Sequence, residues 1–330
     1  MLWIEKYRPK SFADVIGQEK PTAQLASYAE HENLPHLMVI GKPGVGKSAS
    51  LEIFSQLFFK ENASENTTVL PVSVMFSQGH AYLSENERFS HLYQKDKSVI
   101  ANFKHIVKWH ASLQPLSSPF RLIIFDGAGD LPKDAQAALR RIMEKYSKTC
   151  RFVFVTSSLA SLIDPIRSRC VPLYFLPVES GLMRTHLKKI LDAEGCADKI
   201  SEDNLELLIM SASGDLRKAI VWLEIMALHG ETDVSALTHT ETGDLAAAVL
   251  LHAKRGDFSA AQKIAENLII EYGLFARDVL LLIRNAVGSE MSADLALLFS
   301  NAECGIREGS NEYLQMNAFI TELTYRLSGK

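Results

Sequence analysis

Gly41-Lys-Pro-Gly-Val-Gly-Lys47-Ser48 is the segment whose residue types and spacing speak most directly of chemistry. It fits G-x-x-x-x-G-K-[ST], follows the apolar run Leu37-Met-Val-Ile40 and opens a helical stretch, Ala49 to Phe59, which is the setting that this pattern needs. Its glycines allow a tight loop whose backbone N–H groups point inward at phosphate oxygens, and the helix N-terminus adds partial positive charge. Lys47 then reaches the β- and γ-phosphates, and the Ser48 hydroxyl a Mg²⁺ ion. A second segment, Leu122-Ile-Ile-Phe-Asp126, is an apolar run ending in one acid. A buried strand presents a carboxylate at its tip in this way, where it holds the Mg²⁺ of a bound nucleotide. The expected ligands are ATP or ADP with Mg²⁺. The candidate nucleotide-binding residues are Gly41, Gly44, Val45, Gly46, Lys47, Ser48, Ala49 and Asp126, with Ser48 and Asp126 as the metal-binding pair.

Hydrolysis needs one more group, a base that orients the attacking water. The residue after such an aspartate is usually Glu; here it is Gly127, followed by Ala128 and Gly129, and the nearest acid is Asp130. Loss of a positioned base costs roughly 10²- to 10⁴-fold in rate. Binding with weak or absent hydrolysis is therefore expected. The alternative is that Asp130 or a partner chain supplies the missing carboxylate.

These groups need a scaffold that gathers strand tips at one end. Apolar runs at Leu37–Ile40, Val69–Val74, Leu122–Phe125 and Phe152–Val155 predict buried strands. Helical stretches lie between them. In the clearest, apolar residues Ala135, Ala138, Leu139, Ile142, Met143 and Tyr146 recur at three- and four-residue steps, and most of the charges lie off that face. Alternation of this kind implies an α/β domain with a parallel sheet covered by helices. After Pro177 the strand signals fade, and Leu182–Leu191, Asn204–Ala212 and the stretch from Gly214 to about Leu228 read as helices. A segment rich in Gly, Thr, Glu and Asp, His229 to Thr242, separates these from a helical C-terminal part interrupted at Gly256, Gly273, Gly288 and Gly309.

Composition narrows the class further. With 330 residues, the chain is too long for one core and predicts two or three domains. No apolar run approaches the roughly 20 residues that span a bilayer, and Met1 to Pro9 carries charges where a signal peptide is apolar. The expectation is no membrane and a cytoplasmic, nucleoid-associated location, nuclear in a eukaryotic cell. Cys150, Cys170, Cys196 and Cys304 form no C-x-x-C pair, which argues against zinc and for reduced thiols. His80, His91, His105 and His110 read as surface or core histidines. The net charge of -4 argues against a free-standing basic nucleic-acid binder but leaves room for a local patch.

With these residues in view, the chain resembles the small subunits of replication factor C, the AAA+ clamp loader of archaea and eukaryotes, over most of its length. Trp3-Ile-Glu-Lys-Tyr7-Arg8-Pro9 and Phe12-Ala-Asp-Val15-Ile16-Gly17 are similar to the N-terminal box that packs over adenine in that family, which implies base contacts for Tyr7, Arg8, Val15 and Ile16. Asp134 to Ser147 resembles the helix after the Mg²⁺-binding strand. Ser168-Arg169-Cys170 resembles the motif whose arginine reaches into the adjacent subunit's ATP site, so Arg169 is the implied finger, stabilising charge on the transferring phosphoryl group. Gly214-Asp215-Leu216-Arg217-Lys218-Ala219 resembles the sensor-2 segment and implies that Arg217 touches the phosphates of its own site. Ala253 to Phe258, Ile269 to Leu274 and Glu308 to Gln315 resemble the collar. The resemblance implies an AAA+ domain over 1–176, an all-α lid over 177–235 and an all-α oligomerisation collar over 236–330.

The chain also departs from that family. The glutamate after Asp126 is absent. The sensor-1 position, usually Asn, falls at Thr156-Ser157-Ser158. The stretch from Gln78 to Ser118 lacks the family's short charged motif, so carry-over of DNA contacts is open; Lys104, Lys108, Arg140 and Arg141 are candidate phosphate contacts or solvated charges. An intact phosphate loop and finger beside an altered catalytic centre imply a subunit that binds ATP and donates its arginine. Such a subunit would work in a heteropentamer with a large subunit and catalytic small subunits, loading a sliding clamp onto primer–template DNA. The competing readings are a competent ATPase subunit of the same loader, another AAA+ machine such as a branch-migration motor, and a nucleotide-binding signalling protein.

Overall fold

In the computed structural model, which describes residues 1–229, 241–309 and 311–328, the apolar runs become strands of one parallel sheet. The strands are β1 (Leu37–Ile40), β2 (Thr67–Pro71), β3 (Arg121–Asp126), β4 (Cys150–Thr156) and β5 (Val171–Tyr174), in the spatial order β2-β3-β4-β1-β5. Ile40 pairs with Thr156 and Asp126 with Val155, so the tips of β1, β3 and β4 finish together. Loops leaving those tips meet at one end of the sheet, where open α/β folds bind ligands.

Side-chain alternation along β3 and β4 divides the core between the two faces. Leu122, Ile124, Val153 and Val155 join Leu25, Phe54 and Phe120 on one side. Ile123, Phe125, Phe152 and Phe154 join Phe103, Leu139 and Met143 on the other. The helices of this region are α1 (Trp3–Lys6), α2 (Glu19–Glu30), α3 (Lys47–Phe59), α4 (Ala63–Asn66), α5 (Val72–Ser77), α6 (His80–Glu85), α7 (Val99–Ser112), α8 (Lys133–Lys145) and α9 (Asp164–Arg167). Three more follow: α10 (Ser180–Ala193), α11 (Glu202–Ala212) and α12 (Leu216–His229).

Two elements differ from the sequence reading. The strand expected over Val69–Val74 ends at Pro71, and Val72–Val74 belong to α5, because Val72 and Met75 turn together into the core at a helical step. The strand β5 was not anticipated. It sits at the sheet edge, with only Leu173 buried, and an edge tolerates Pro172.

The chain divides into two compact units, 1–232 and 233–330, so the three helices expected as a lid belong to the same unit as the sheet. The expected boundary at 235/236 lies outside the described residues. The second unit is helical: α13 (Glu241–Lys254), α14 (Phe258–Ile270), α15 (Ala276–Val287), α16 (Ala293–Glu308) and α17 (Glu312–Ser328). Its core draws on every one of these, with Ala246, Ala261 and Ala265 letting helices approach closely and Phe299 and Phe319 packed ring to ring. No helix among the described residues is long and apolar enough to cross a membrane.

Candidate functional site

A cavity of about 640 Å³ opens at the carboxyl end of the sheet, a volume that suits a small-molecule ligand. Three elements wall it. The loop between β1 and α3 contributes Gly44, Val45, Gly46, Lys47, Ser48 and Ala49. The N-terminal arm contributes Tyr7, Arg8, Val15 and Ile16, and α12 contributes Arg217 from its first turn. Asp126 and Gly127, at the tip of β3, complete the floor with Thr156 and Ser157. Twelve of the sequence-predicted residues are thus brought together on one wall system. Gly41 lies just behind it, donating its N–H to Thr156 O at 3.1 Å and accepting from Lys47 Nζ at 2.7 Å.

The phosphate loop is held in shape by its own side chains. Lys47 Nζ donates to Gly41 O and, at 2.5 Å, to Lys42 O. Burial lowers the Lys47 pKa, Asp126 opposes that shift, Arg217 adds to it and Asp215 opposes it, so these four charges share one electrostatic environment. Gly44 has φ +70°, and a Cβ there would overlap Asp215 Oδ1. Asp215 also accepts the Lys218 N–H at 3.0 Å, which caps α12. One carboxylate therefore both starts the helix that carries Arg217 and packs against the phosphate loop.

Ser48 and Asp126 bring a hydroxyl and a carboxylate to the same cavity, the oxygen donors that Mg²⁺ takes. The position after Asp126 is different in kind. Gly127 has φ +71°, and a Cβ there would overlap Ser73 Oγ. Ser73 in turn donates to Asp130 Oδ2. Asp130 is not among the residues that line the cavity. Thr156 is buried, and its hydroxyl is engaged with Ser158 O and Ser161 Oγ, each at 3.1 Å.

Arg169 is absent from the cavity wall. It lies between α9 and β5, where its guanidinium donates to Pro165 O at 2.7 Å and pairs with Glu144 at 2.7 Å. Gln136 fixes the approach to this segment, donating to Leu131 O and Ser161 O and accepting the Ile163 N–H at 2.8 Å. Arg140, a candidate phosphate contact, pairs with the same Glu144 at 3.3 Å. Of the four histidines, His80 packs against Tyr93, His91 against Trp109, and His110 bonds to Thr68.

Sequence reasoning missed Asp215, Ser73 and His186. His186 sits on α10 and lines the cavity, where burial, with a smaller push from Lys189, lowers its pKa. A lone histidine on a helix gives no signal of its own, and the contacts of Ser73 with Gly127 and of Asp215 with Gly44 are distant in sequence.

Comparisons with known proteins identify the family and the fold. Residues 17–179 match the family described as DNA polymerase III, delta subunit, and residues 244–322 match the replication factor C C-terminal domain. The chain is 32% identical to the replication factor C small subunit of Archaeoglobus fulgidus, covering 98% of this chain and 97% of that protein. It is also 32% identical to the replication factor C small subunit of Methanocella arvoryzae, covering 97% and 95%. The solved structure of the Aeropyrum pernix Orc1 protein in complex with DNA superposes with a TM-score of 0.56 at 17% identity, covering 98% of this chain and 85% of that one, a likeness of fold alone. The sheet, its flanking helices and the phosphate loop form an AAA+ fold, and the chain belongs to the replication factor C small-subunit family.

Proposed function

We propose that this chain is a clamp-loader subunit that binds ATP with Mg²⁺ in its own cavity, turns it over poorly, and donates Arg169 to the ATP site of a neighbouring subunit. The observation that carries this reading is Gly127. Where a general base is expected, the backbone is left-handed and Ser73 fills the space beside it, while Lys47, Ser48, Asp126 and Arg217 all face the cavity. Lys47 and Arg217 offer positive charge to the phosphates, and Ser48 and Asp126 would hold the Mg²⁺, which supplies charge neutralisation when bound. Tyr7, Arg8, Val15 and Ile16 form the end suited to the base. The position of Arg169 away from this cavity fits action in trans, and its pairing with the exposed Glu144 is of the weak, screened kind that a phosphate group can replace.

In this role the sheet domain over 1–176 and lid over 177–235 bind nucleotide, and the helical part over 236–330 joins the chain to a large subunit and catalytic small subunits. The assembly's substrates are a sliding clamp and primer–template DNA; Lys104, Lys108, Arg140 and Arg141 stand as phosphate contacts or solvated charges, and Arg140 already pairs with Glu144. A cytoplasmic, nucleoid-associated location, or a nuclear one in a eukaryotic cell, accompanies that role.

The test is steady-state ATP turnover by the reconstituted loader with clamp and primed DNA, with single changes in this chain. Arg169→Ala is expected to slow the neighbouring site by about 10³-fold or more, and Lys47→Ala to leave total turnover nearly unchanged. If Lys47→Ala removes a full site's share of turnover, the chain hydrolyses ATP itself and the reading fails.

A further inference from the structure

Tyr7 and Arg8 are adjacent in the arm, yet they are anchored to two different elements. Arg8 pairs at 2.5 Å with Glu52, on the helix that follows the phosphate loop. Tyr7 donates its hydroxyl at 2.6 Å to Glu194 Oε1, just past the end of α10. Lys6 Nζ reaches the same oxygen at 2.6 Å. A third tie runs nearby, where the buried Trp3 N–H donates at 3.0 Å to Glu224 Oε2 on α12. The arm is thus a strap from the phosphate-loop helix to the α10–α12 helices, and it crosses the cavity wall at Tyr7 and Arg8.

The two anchors are unequal. Both side chains of the Arg8–Glu52 pair are about half exposed, and such pairs are weak. The Glu194 side chain is only 18% exposed and takes two hydrogen bonds on one oxygen. Those bonds, first from Lys6 and then from Tyr7, hold its carboxyl below the usual range, while burial and the bond to Glu194 keep the Tyr7 phenol protonated as the donor. Glu194 itself is not on the cavity wall.

We infer that Glu194 is a positioning residue for nucleotide binding: it holds the Tyr7 ring in place against the base end of the cavity. This rests on the proposed nucleotide-binding reading. It predicts that Glu194 matters to nucleotide affinity through Tyr7 and through nothing else. The carboxylate fixes the phenol oxygen, and the ring that lines the cavity follows.

The test measures ATP affinity by calorimetry on the full-length chain for Tyr7→Phe, Glu194→Ala, Glu194→Gln, Lys6→Ala and the Tyr7→Phe/Glu194→Ala double variant. Thermal unfolding of each checks that the fold is kept. Glu194→Ala is expected to weaken ATP binding about tenfold, the scale of one hydrogen bond to a charged acceptor. Glu194→Gln keeps an acceptor for the phenol and should retain most of the affinity, and Lys6→Ala should change it less than twofold. The double variant should bind no more weakly than the weaker single one, because each change removes the same contact. Unchanged affinity in Glu194→Ala, or additive losses in the double variant, would overturn the inference while leaving nucleotide binding intact. A wild-type chain that binds no ATP would overturn the nucleotide reading and the inference together.

Discussion

At the scale of single residues, the altered catalytic position is a backbone matter as much as a missing side chain. An L-residue at a φ of +71° costs about 1–3 kcal/mol, and at Gly127 any Cβ also meets Ser73 Oγ. Gly127→Glu is therefore expected to destabilise the chain on that scale and to leave turnover at its site no higher than before. Thermal unfolding together with turnover by the reconstituted loader checks this, and a rise in turnover would show that the backbone relaxes to accept a base. The absence of glutamate after Asp126 is legible in the sequence, because the apolar run and the phosphate loop identify the position. The left-handed turn and the Ser73 contact are not. They depend on β2 ending in register with Asp126, which brings Ser73 alongside residue 127. The same holds for Asp215, invisible as a partner of Gly44 until α12 packs over the loop, and for Glu194, 187 residues from Tyr7.

At the scale of elements, what could be read was what packing dictates strongly. The strands β1, β3 and β4 lie inside the sheet and appear as unbroken apolar runs. The edge strands β2 and β5 are covered less and show mixed patterns, so one was overextended and the other overlooked. How β1 is tied into the sheet also has a measurable consequence. His36, just before it, accepts the Phe152 N–H at Nδ1 (3.2 Å), and burial, aided by Arg151, pushes its pKa down to about 4. His110 on α7 is pushed to about 4 by burial, with Arg121 and His91 adding to the shift. Both folded-state values lie below the ordinary 6.5, so between these limits the unfolded chain holds more protons than the folded one. The stability contributed by the neutral rings is fully present above pH 6.5 and is lost as pH falls through about 4. The thermal midpoint should drop from pH 7 to pH 5, before most carboxylates titrate. His36→Asn, which keeps an acceptor and removes the titration, should flatten that slope; an unaltered slope would remove His36 from the account.

At the scale of the whole molecule, the cores identify what folds as one piece. The two clusters that sandwich the sheet draw only on residues between Leu25 and Phe175, and the C-terminal cluster only on residues between Ala246 and Leu323. Among the described residues, no buried residue is shared between the sheet cores and the C-terminal one. The sequence signals this division through a change of composition, the stretch rich in Gly, Thr, Glu and Asp from His229 to Thr242. A fragment spanning 241–330 is therefore expected to fold alone. It keeps five helices whose buried residues come from every one of them, and local helical contacts of this kind assemble readily without the rest of the chain. Its stability should be modest, because a domain of about 90 residues buries a smaller fraction of its surface than a longer one does. Leu281, Leu297, Leu314 and Tyr325 remain exposed on it, so self-association should grow with concentration. Circular dichroism should show helix with one cooperative thermal transition, and sedimentation a mass that rises with loading. A fragment with little helix, or a melt without a cooperative step, would mean that the second unit needs the first in order to fold. The joining role proposed for residues 236–330 would then have no independent domain to carry it.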